Sequence, residues 1–333
     1  MTHTFRAGSS RLAVLAAVLL TGVTARGHAQ NAALLAPGTG SPAPAEAAAA
    51  RRTTEHVVVI SIDGLRPDAI ARFGARHIQQ LMSEGSYALD AKTIMPSRTL
   101  PSHTSMLTGT EPATHGVTWN DEELEYHGYV ATPTIFATAK QAGLHTAAFF
   151  SKSKFQHLDV PGTLDHFQAP GGWPGKWLAG RTVGDVERYL KHASPNLLFV
   201  HLAEPDLAGH LVGWMSAPYG WAVLEADAAV GRLLAAAERT FNHGHYTVLL
   251  TADHGGHGRD HGTDDARDVT IPWIAWGEGV TAGEVLEPGI RTMDTAATAL
   301  WLLGLREAPG AVGRAVASAF GPDPRVVAGL AEH

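Results

Sequence analysis

The chain has 333 residues, 45% hydrophobic and 17% charged, with a formal net charge of -7. This composition excludes disordered and fibrous classes and suffices for one large α/β domain or two small ones. The acidic balance leaves no diffuse cationic field, so neither a nucleic-acid duplex nor an anionic membrane is an expected partner, and any anionic substrate must be held by a local site.

At the N-terminus Arg6 and Arg11 precede an apolar run from Leu12 to Val23, followed by Gly27-His28-Ala29. That order reads as a signal peptide over residues 1–29, cleaved after Ala29 to give a periplasmic or secreted protein. The apolar run, about 12 residues, is too short to span a bilayer as a helix, so no membrane span is expected in the mature chain. Residues 30–54, rich in Ala, Pro and Gly, read as a flexible linker, and residues 55–333 as one catalytic domain. Cysteine is absent, which removes disulfides, thiol nucleophiles and thiolate ligands.

The β-branched run His56 to Ile62 predicts a strand buried on both faces, and it ends in Asp63-Gly64. Comparable runs are Asn196 to Leu202 before Glu204-Pro205-Asp206, and Tyr246 to Thr251 before Asp253-His254-Gly255. Further strands are expected over Thr146 to Phe150 and Ile271 to Trp276. Helical patterns run from Pro133 to Gln141, from Thr182 to His192 with Val183, Val186, Tyr189 and Leu190 on one side, and from Trp221 to Thr240. Strands alternating with helices predict an α/β fold with a mostly parallel central sheet covered on both faces. Ligands in such sheets sit at the carboxyl ends of the strands, where all three acidic clusters fall. Residues 161–180, with two tryptophans among glycines and prolines, read as a loop and a candidate lid.

Asp206 and His210 are four residues apart, Asp253 and His254 are adjacent, and His261 follows in a Gly/His-rich loop. Mixed carboxylate and imidazole ligands suit zinc, with manganese or iron as alternatives. Each pair alone is weak, but carboxylates at three strand ends with imidazoles beside two of them form a group that a fold does not bury unpaired. The segment Met95 to Gly109 adds Thr99, whose hydroxyl at a helix start beside a metal could be held as the alkoxide.

Ile62-Asp63-Gly64-Leu65-Arg66, Thr99-Leu100-Pro101-Ser102-His103 with Thr108-Gly109, His115-Gly116 through Asn120, Glu204-Pro205-Asp206 with Gly209-His210, Asp253-His254-Gly255 and His261-Gly262 occur in that order. The set resembles type I phosphodiesterase/nucleotide pyrophosphatases of the alkaline phosphatase superfamily, over roughly residues 55 to 320 and including a closing Val312-Gly313-Arg314. The resemblance implies one metal held by Asp206, His210 and His261 and a second by Asp63, Thr99, Asp253 and His254. It further implies that Asn120 donates to a phosphoryl oxygen. Thr99 would attack phosphorus in line to give a phosphothreonine that water then hydrolyses. The implied cofactors are two zinc ions, and the implied substrate a small phosphorylated molecule such as a nucleotide.

Two departures stand out. Only six residues separate His254 from His261, where larger members carry a long insertion, so the choice of His261 over His257 rests on the pattern His261-Gly262-Thr263-Asp264. Lys152-Ser153-Lys154 replaces a tryptophan-containing segment of nucleotide-cleaving members and resembles the Lys-x-Arg element of threonine-nucleophile phosphomonoesterases, with Lys for Arg. Lys152 and Lys154 are therefore candidate catalytic residues for a monoesterase, the alternative to phosphodiester or pyrophosphate cleavage. A metal-binding protein without activity is a remoter alternative. A sulfatase would carry Cys or Ser at position 99 and Arg at position 103, where this chain has threonine and His103.

Overall fold

The run His56–Ile62 forms β1, buried at every position and central in its sheet. In chain order the other strands are β2 (Ser86–Lys92), β3 (Thr146–Phe149), β4 (His166–Gln168), β5 (Leu197–Leu202), β6 (Tyr246–Thr251), β7 (Thr270–Gly277) and β8 (Glu284–Val285). They assemble in the order β4-β3-β5-β1-β6-β7-β2-β8. The computed structural model describes residues 54–171, 176, 178–242 and 244–321. The signal-peptide reading, nearly all of the linker, residues 172–175 and 177 of the expected lid, and the last twelve residues of the expected domain lie outside the described residues.

Pairing from β4 through β6 is parallel, and β7 runs antiparallel to both β6 and β2. The expected mostly parallel sheet is thus present, with one strand reversed. β5 and β6, like β1, are buried at every position. Successive side chains point to opposite faces, so both faces of the sheet centre are covered.

The main helices are α1 (Pro67–Phe73), α2 (Arg76–Glu84), α3 (Thr99–Thr108), α4 (Ile135–Gln141), α5 (Ala179–Tyr189), α6 (Glu204–Val212), α7 (Ala217–Phe241) and α8 (Asp294–Leu302). One packed group gathers α1, α2, α5 and α6 around α7; a second joins α3, α4 and α8. α7 starts a turn earlier than its apolar pattern, because the Ser216 side chain accepts from the Tyr219 N–H and proline fits the first turn. α5 also starts earlier than expected, its first N–H bonded to the Glu204 carboxylate. The segment 161–180, expected to be loop throughout, contains β4 and the first residues of α5. Three residues at a sheet edge carry too little periodicity to distinguish a strand from a loop.

Register places the site. Ser61 of β1 pairs with His201 of β5 on one side and with Thr251 of β6 on the other. The three central strands therefore end level, and Asp63, Asp206 and Asp253 emerge side by side.

Candidate active site

Asp63, Asp206 and Asp253 are all buried. The turn after β1 binds them together: the Asp206 N–H donates to the Asp63 carbonyl at 3.0 Å, and the Gly64 N–H donates to Asp253 Oδ1 at 3.1 Å. Gly64 has φ +71, and a Cβ there would stand 2.9 Å from Asp206 Cα, so both conformation and space require glycine. Each aspartate leaves one buried oxygen without a hydrogen-bond partner: Asp63 Oδ1, Asp206 Oδ1 and Asp253 Oδ2. A fold that buries three such oxygens together requires cations or protons among them.

The imidazoles are oriented to supply the rest. His254 Nδ1 donates to the Gly255 carbonyl (2.8 Å), His261 Nδ1 to that of Ser97 (2.8 Å) and His210 Nδ1 to that of Arg259 (3.0 Å). Since a carbonyl only accepts, each ring carries its proton on Nδ1 and turns the Nε2 lone pair inward when neutral, the arrangement usual for metal-ligating histidines. His210 Nε2 and His261 Nε2 lie 3.1 Å apart, and Asp206 Oδ1 is 3.3 Å from the first and 3.6 Å from the second. His254 Nε2 lies 3.4 Å from Asp63 Oδ1 and 3.2 Å from Asp253 Oδ2. Among the described residues, two groups have ligand atoms within 4.8 Å of one another: Asp206, His210 and His261, and Asp63, Asp206 and His254. Asp253 and Thr99 adjoin the second group, Thr99 Oγ1 lying 3.5 Å from His254 Nε2. The donor set fits zinc, manganese or iron.

Charge in this cluster is unevenly held. Burial, reinforced by Asp63, raises Asp253 well above the usual carboxylate range. Burial also works to raise Asp63 and Asp206, but Lys152 beside both holds them low. Burial lowers His254 and brings His261 down to about 3, which keeps both rings neutral. The half-exposed His210 is raised by its contact with Asp206.

Thr99 opens α3 and lines a cleft of about 230 Å³ together with Asn120, Lys152, Lys154, Asp206, His210 and His261. Asn120 Oδ1 accepts from the Leu100 N–H at 2.9 Å and from Lys154 Nζ at 3.1 Å. Two donors on one oxygen fix the amide orientation and leave Nδ2 as the donor. Lys154 also donates to the Asn120 carbonyl at 3.0 Å; burial, then Lys152, pushes its ammonium down to about 8. Lys152 turns elsewhere, 2.6 Å from Asp63 Oδ2 and 2.6 Å from Asp206 Oδ2. Against the opposing effect of burial, these carboxylates raise it above the ordinary lysine range. The structure thus gathers all ten candidate residues at one end of the sheet, Lys152 among the carboxylates and Lys154 beside Asn120.

His257 Nδ1 pairs with the buried Asp268 at 2.7 Å, while His261 faces His210, so the loop presents His261 to the cluster. Several contributing residues escape sequence reasoning. His201 in β5 donates from Nε2 to Asp63 Oδ2 at 2.8 Å, its Nδ1 accepting from the Ser151 N–H; a lone histidine in a wholly buried strand was the available signal. His103 Nδ1 donates to the Thr99 carbonyl at 2.8 Å, which steadies the first turn of α3. Trp214 donates to the Gly64 carbonyl at 3.0 Å, and its ring lies where a Cβ on Gly209 or Gly256 would stand. From the expected lid, Lys176 pairs by backbone with Lys152 and lines the cleft.

Adjacent carboxylates at the ends of parallel strands, beside a helix that opens on a threonine, define an alkaline phosphatase-like α/β fold. A model of the type I phosphodiesterase/nucleotide pyrophosphatase family matches residues 57–264, and the chain belongs to that family, one of phosphoester hydrolases. It is 25% identical over 224 residues to ectonucleotide pyrophosphatase/phosphodiesterase family member 1 of Homo sapiens, covering 61% of this chain and 24% of that protein. It is 24% identical over 222 residues to the Bis(5'-adenosyl)-triphosphatase of Xenopus laevis, covering 61% of this chain and 47% of that one. The matched part is therefore less than half of either relative. Among solved structures, murine ectonucleotide pyrophosphatase/phosphodiesterase 5 superimposes with a TM-score of 0.68 at 16% identity, over 80% of this chain and 100% of that one. An inactive form of the same murine protein, in complex with AMP, gives 0.66 at 17% identity, over 77% and 96%.

Proposed function

We propose that the protein is a metal-dependent phosphoester hydrolase that cleaves phosphodiester or pyrophosphate bonds of a small, nucleotide-like substrate through a phosphothreonine on Thr99. The observation that carries this reading is the convergence of three unpartnered, buried carboxylate oxygens with three inward-facing imidazole nitrogens, of which Asp206, His210 and His261 line the cleft together with Thr99. Asp206, His210 and His261 would hold one metal, and Asp63, Thr99, Asp253 and His254 the other. Two zinc ions bound there, or manganese or iron, would supply positive charge against the phosphoryl oxygens and the ionised nucleophile.

The chain's own residues account for the remaining steps. Thr99 Oγ1 forms the bond to phosphorus as the bond to the leaving oxygen breaks, and the α3 N-terminus favours negative charge there. Asn120 Nδ2, oriented by the two donors on its oxygen, donates to a non-bridging oxygen as charge builds. Water then attacks phosphorus and releases Thr99. AMP in the murine neighbour and the activity named for the Xenopus relative support a nucleotide substrate. The signal-peptide pattern at residues 1–29 supports action outside the cytoplasm.

A second reading, phosphomonoester hydrolysis, is favoured by Lys154, whose ammonium lies beside Asn120 and could meet the extra charge of a monoester dianion. The test is zinc content, and kcat/KM for nitrophenyl diester and monoester, with zinc-reconstituted wild type and Lys154→Met. Uptake approaching two zinc ions per chain with a preference for diester is expected. Less than one zinc per chain would sink the metal reading. A strong monoester preference lost selectively in Lys154→Met would establish the second reading over the first.

A further inference from the structure

Lys152 is the third residue past Phe149, the last of β3, and only 4% of it is exposed. Its position is set by the backbone: the Ser151 hydroxyl donates to the His201 carbonyl, the Ser151 N–H donates to His201 Nδ1, and Lys152 itself pairs with Lys176. The ammonium bonds to one oxygen of Asp63 and one of Asp206, both at 2.6 Å. The other oxygen of Asp63 faces His254, and the other oxygen of Asp206 faces His210 and His261. One lysine therefore spans the two ligand groups, taking from each carboxylate the oxygen turned away from His254, His210 and His261; on Asp63 it shares that oxygen with His201 Nε2.

We propose that Lys152 is an internal counter-cation, which holds Asp63 and Asp206 side by side and balances part of their charge before any divalent cation arrives. This role is distinct from contact with a substrate phosphoryl group, and its link to metal loading rests on the reading of these aspartates as ligands. The groups facing Lys152 are Asp63 and Asp206 directly, with Asp253, His254 and His201 around Asp63 and with Lys154 two residues on. Asp63 and Asp206, buried side by side with a single ammonium between them, repel one another strongly if that ammonium is removed. A bound divalent cation would restore the balance, so the lysine matters most in the metal-free protein. It also stands as a fixed positive charge beside each cation, so its removal should tighten zinc binding even as it weakens the apoprotein.

Thermal midpoints of wild type, Lys152→Met and Lys152→Arg, each with chelator and with saturating zinc, test this. Lys152→Met is expected to lower the metal-free midpoint by about 5 °C or more. The zinc-saturated midpoint should fall by much less, so that the zinc-induced rise is larger than in wild type; Lys152→Arg should recover part of the metal-free loss. Equal losses with and without zinc would reduce Lys152 to packing, and no metal-free loss would overturn the proposal outright. Asp206→Asn supplies an arm that needs no metal. In that background Lys152→Met should cost clearly less in the apoprotein, and an undiminished cost would refute the charge-balancing role. If Lys152→Met alone does not fold, recovery of a folded Lys152→Met/Asp206→Asn protein supports the proposal and failure to recover overturns it. Wild type that takes up no zinc would count against the metal reading, while the chelator arms still decide the role of Lys152.

Discussion

Asn120 serves two roles through two atoms of one amide, and a pair of substitutions can separate them. Its Oδ1 accepts from the Leu100 N–H at 2.9 Å and from Lys154 at 3.1 Å, while Nδ2 is left to donate into the cleft. Asn120→Asp keeps an acceptor for both donors, but puts an oxygen where the donor stood. Loss of one preorganised donor costs about 10²–10³ in kcat, or about 3–4 kcal/mol of barrier lowering. Asn120→Ala loses the donor, strands the Leu100 N–H and leaves Lys154 only the main-chain carbonyl of residue 120, adding about 1–3 kcal/mol of lost stability. For a domain of this size that is a fall of several degrees in thermal midpoint. The assay is kcat on a nitrophenyl diester alongside thermal unfolding of the zinc-reconstituted proteins. Both variants should lose at least about 100-fold in kcat, and Asn120→Ala should have the clearly lower midpoint. If Asn120→Asp kept kcat within about threefold, less than ~1 kcal/mol of barrier, the amide would not be a donor to the reacting group. Equal midpoints for the two variants would show that the Oδ1 bonds stabilise nothing.

Thr99→Ala is expected to remove nearly all turnover and leave most metal binding intact, since the hydroxyl is the nucleophile but one ligand atom among several; more than about a tenth of wild-type kcat remaining would refute the assignment. A pH dependence of stability should come from His115 and His157, which hydrogen-bond Ser105 and Thr104 of α3 and are each brought down by burial to about 4. Between that value and the ordinary 6.5 of an unfolded histidine, the unfolded chain binds more protons, so stability falls as pH drops through this window and is fully present above it. For the deeply buried His157 the effect is up to about 3 kcal/mol. The thermal midpoint should decline from pH 7 to pH 4.5 and decline less steeply in His157→Gln; parallel slopes would reject the assignment.

The central strands were legible because β1, β5 and β6 are buried at every position and are built mostly of apolar residues, in short runs that each lead to an acidic turn. Their sequels, Asp63, Asp206 and Asp253, could be placed at one sheet end without coordinates, because parallel strands all finish on the same side. β7 was visible as a strand but its reversed direction was not, since hydrophobic pattern carries no polarity. β2 escaped notice because its Ser-Tyr-Ala-Leu-Asp-Ala-Lys sequence holds few strong strand formers and shifts register between Ala88 and Ala91. The ordered motifs nominated the residues of the cleft, but their partners depend on tertiary approach. Nothing in Lys152-Ser153-Lys154 reveals that one ammonium turns to two aspartates and the other to an asparagine. Likewise His201 reads as part of a core strand until its register beside Ser61 brings it to Asp63.

Trp214 joins three segments that are far apart in sequence. Its indole N–H reaches the Gly64 carbonyl, and a Cβ on Gly209 of α6 or on Gly256 of the histidine loop would stand 2.6 Å or 2.2 Å from its ring. Ring centroids of His210 and His261 lie 5.2 Å and 5.8 Å from its own. The bulk of one side chain is thus matched by the absence of two others, and the three positions are not free to drift independently. A methyl group gained at 209 or 256 is tolerated only after the residue at 214 has become smaller, and a smaller residue at 214 leaves a void beside two imidazoles until one glycine is replaced. Divergence at this place should therefore proceed by compensated pairs, and single steps should pass through a form with a displaced histidine.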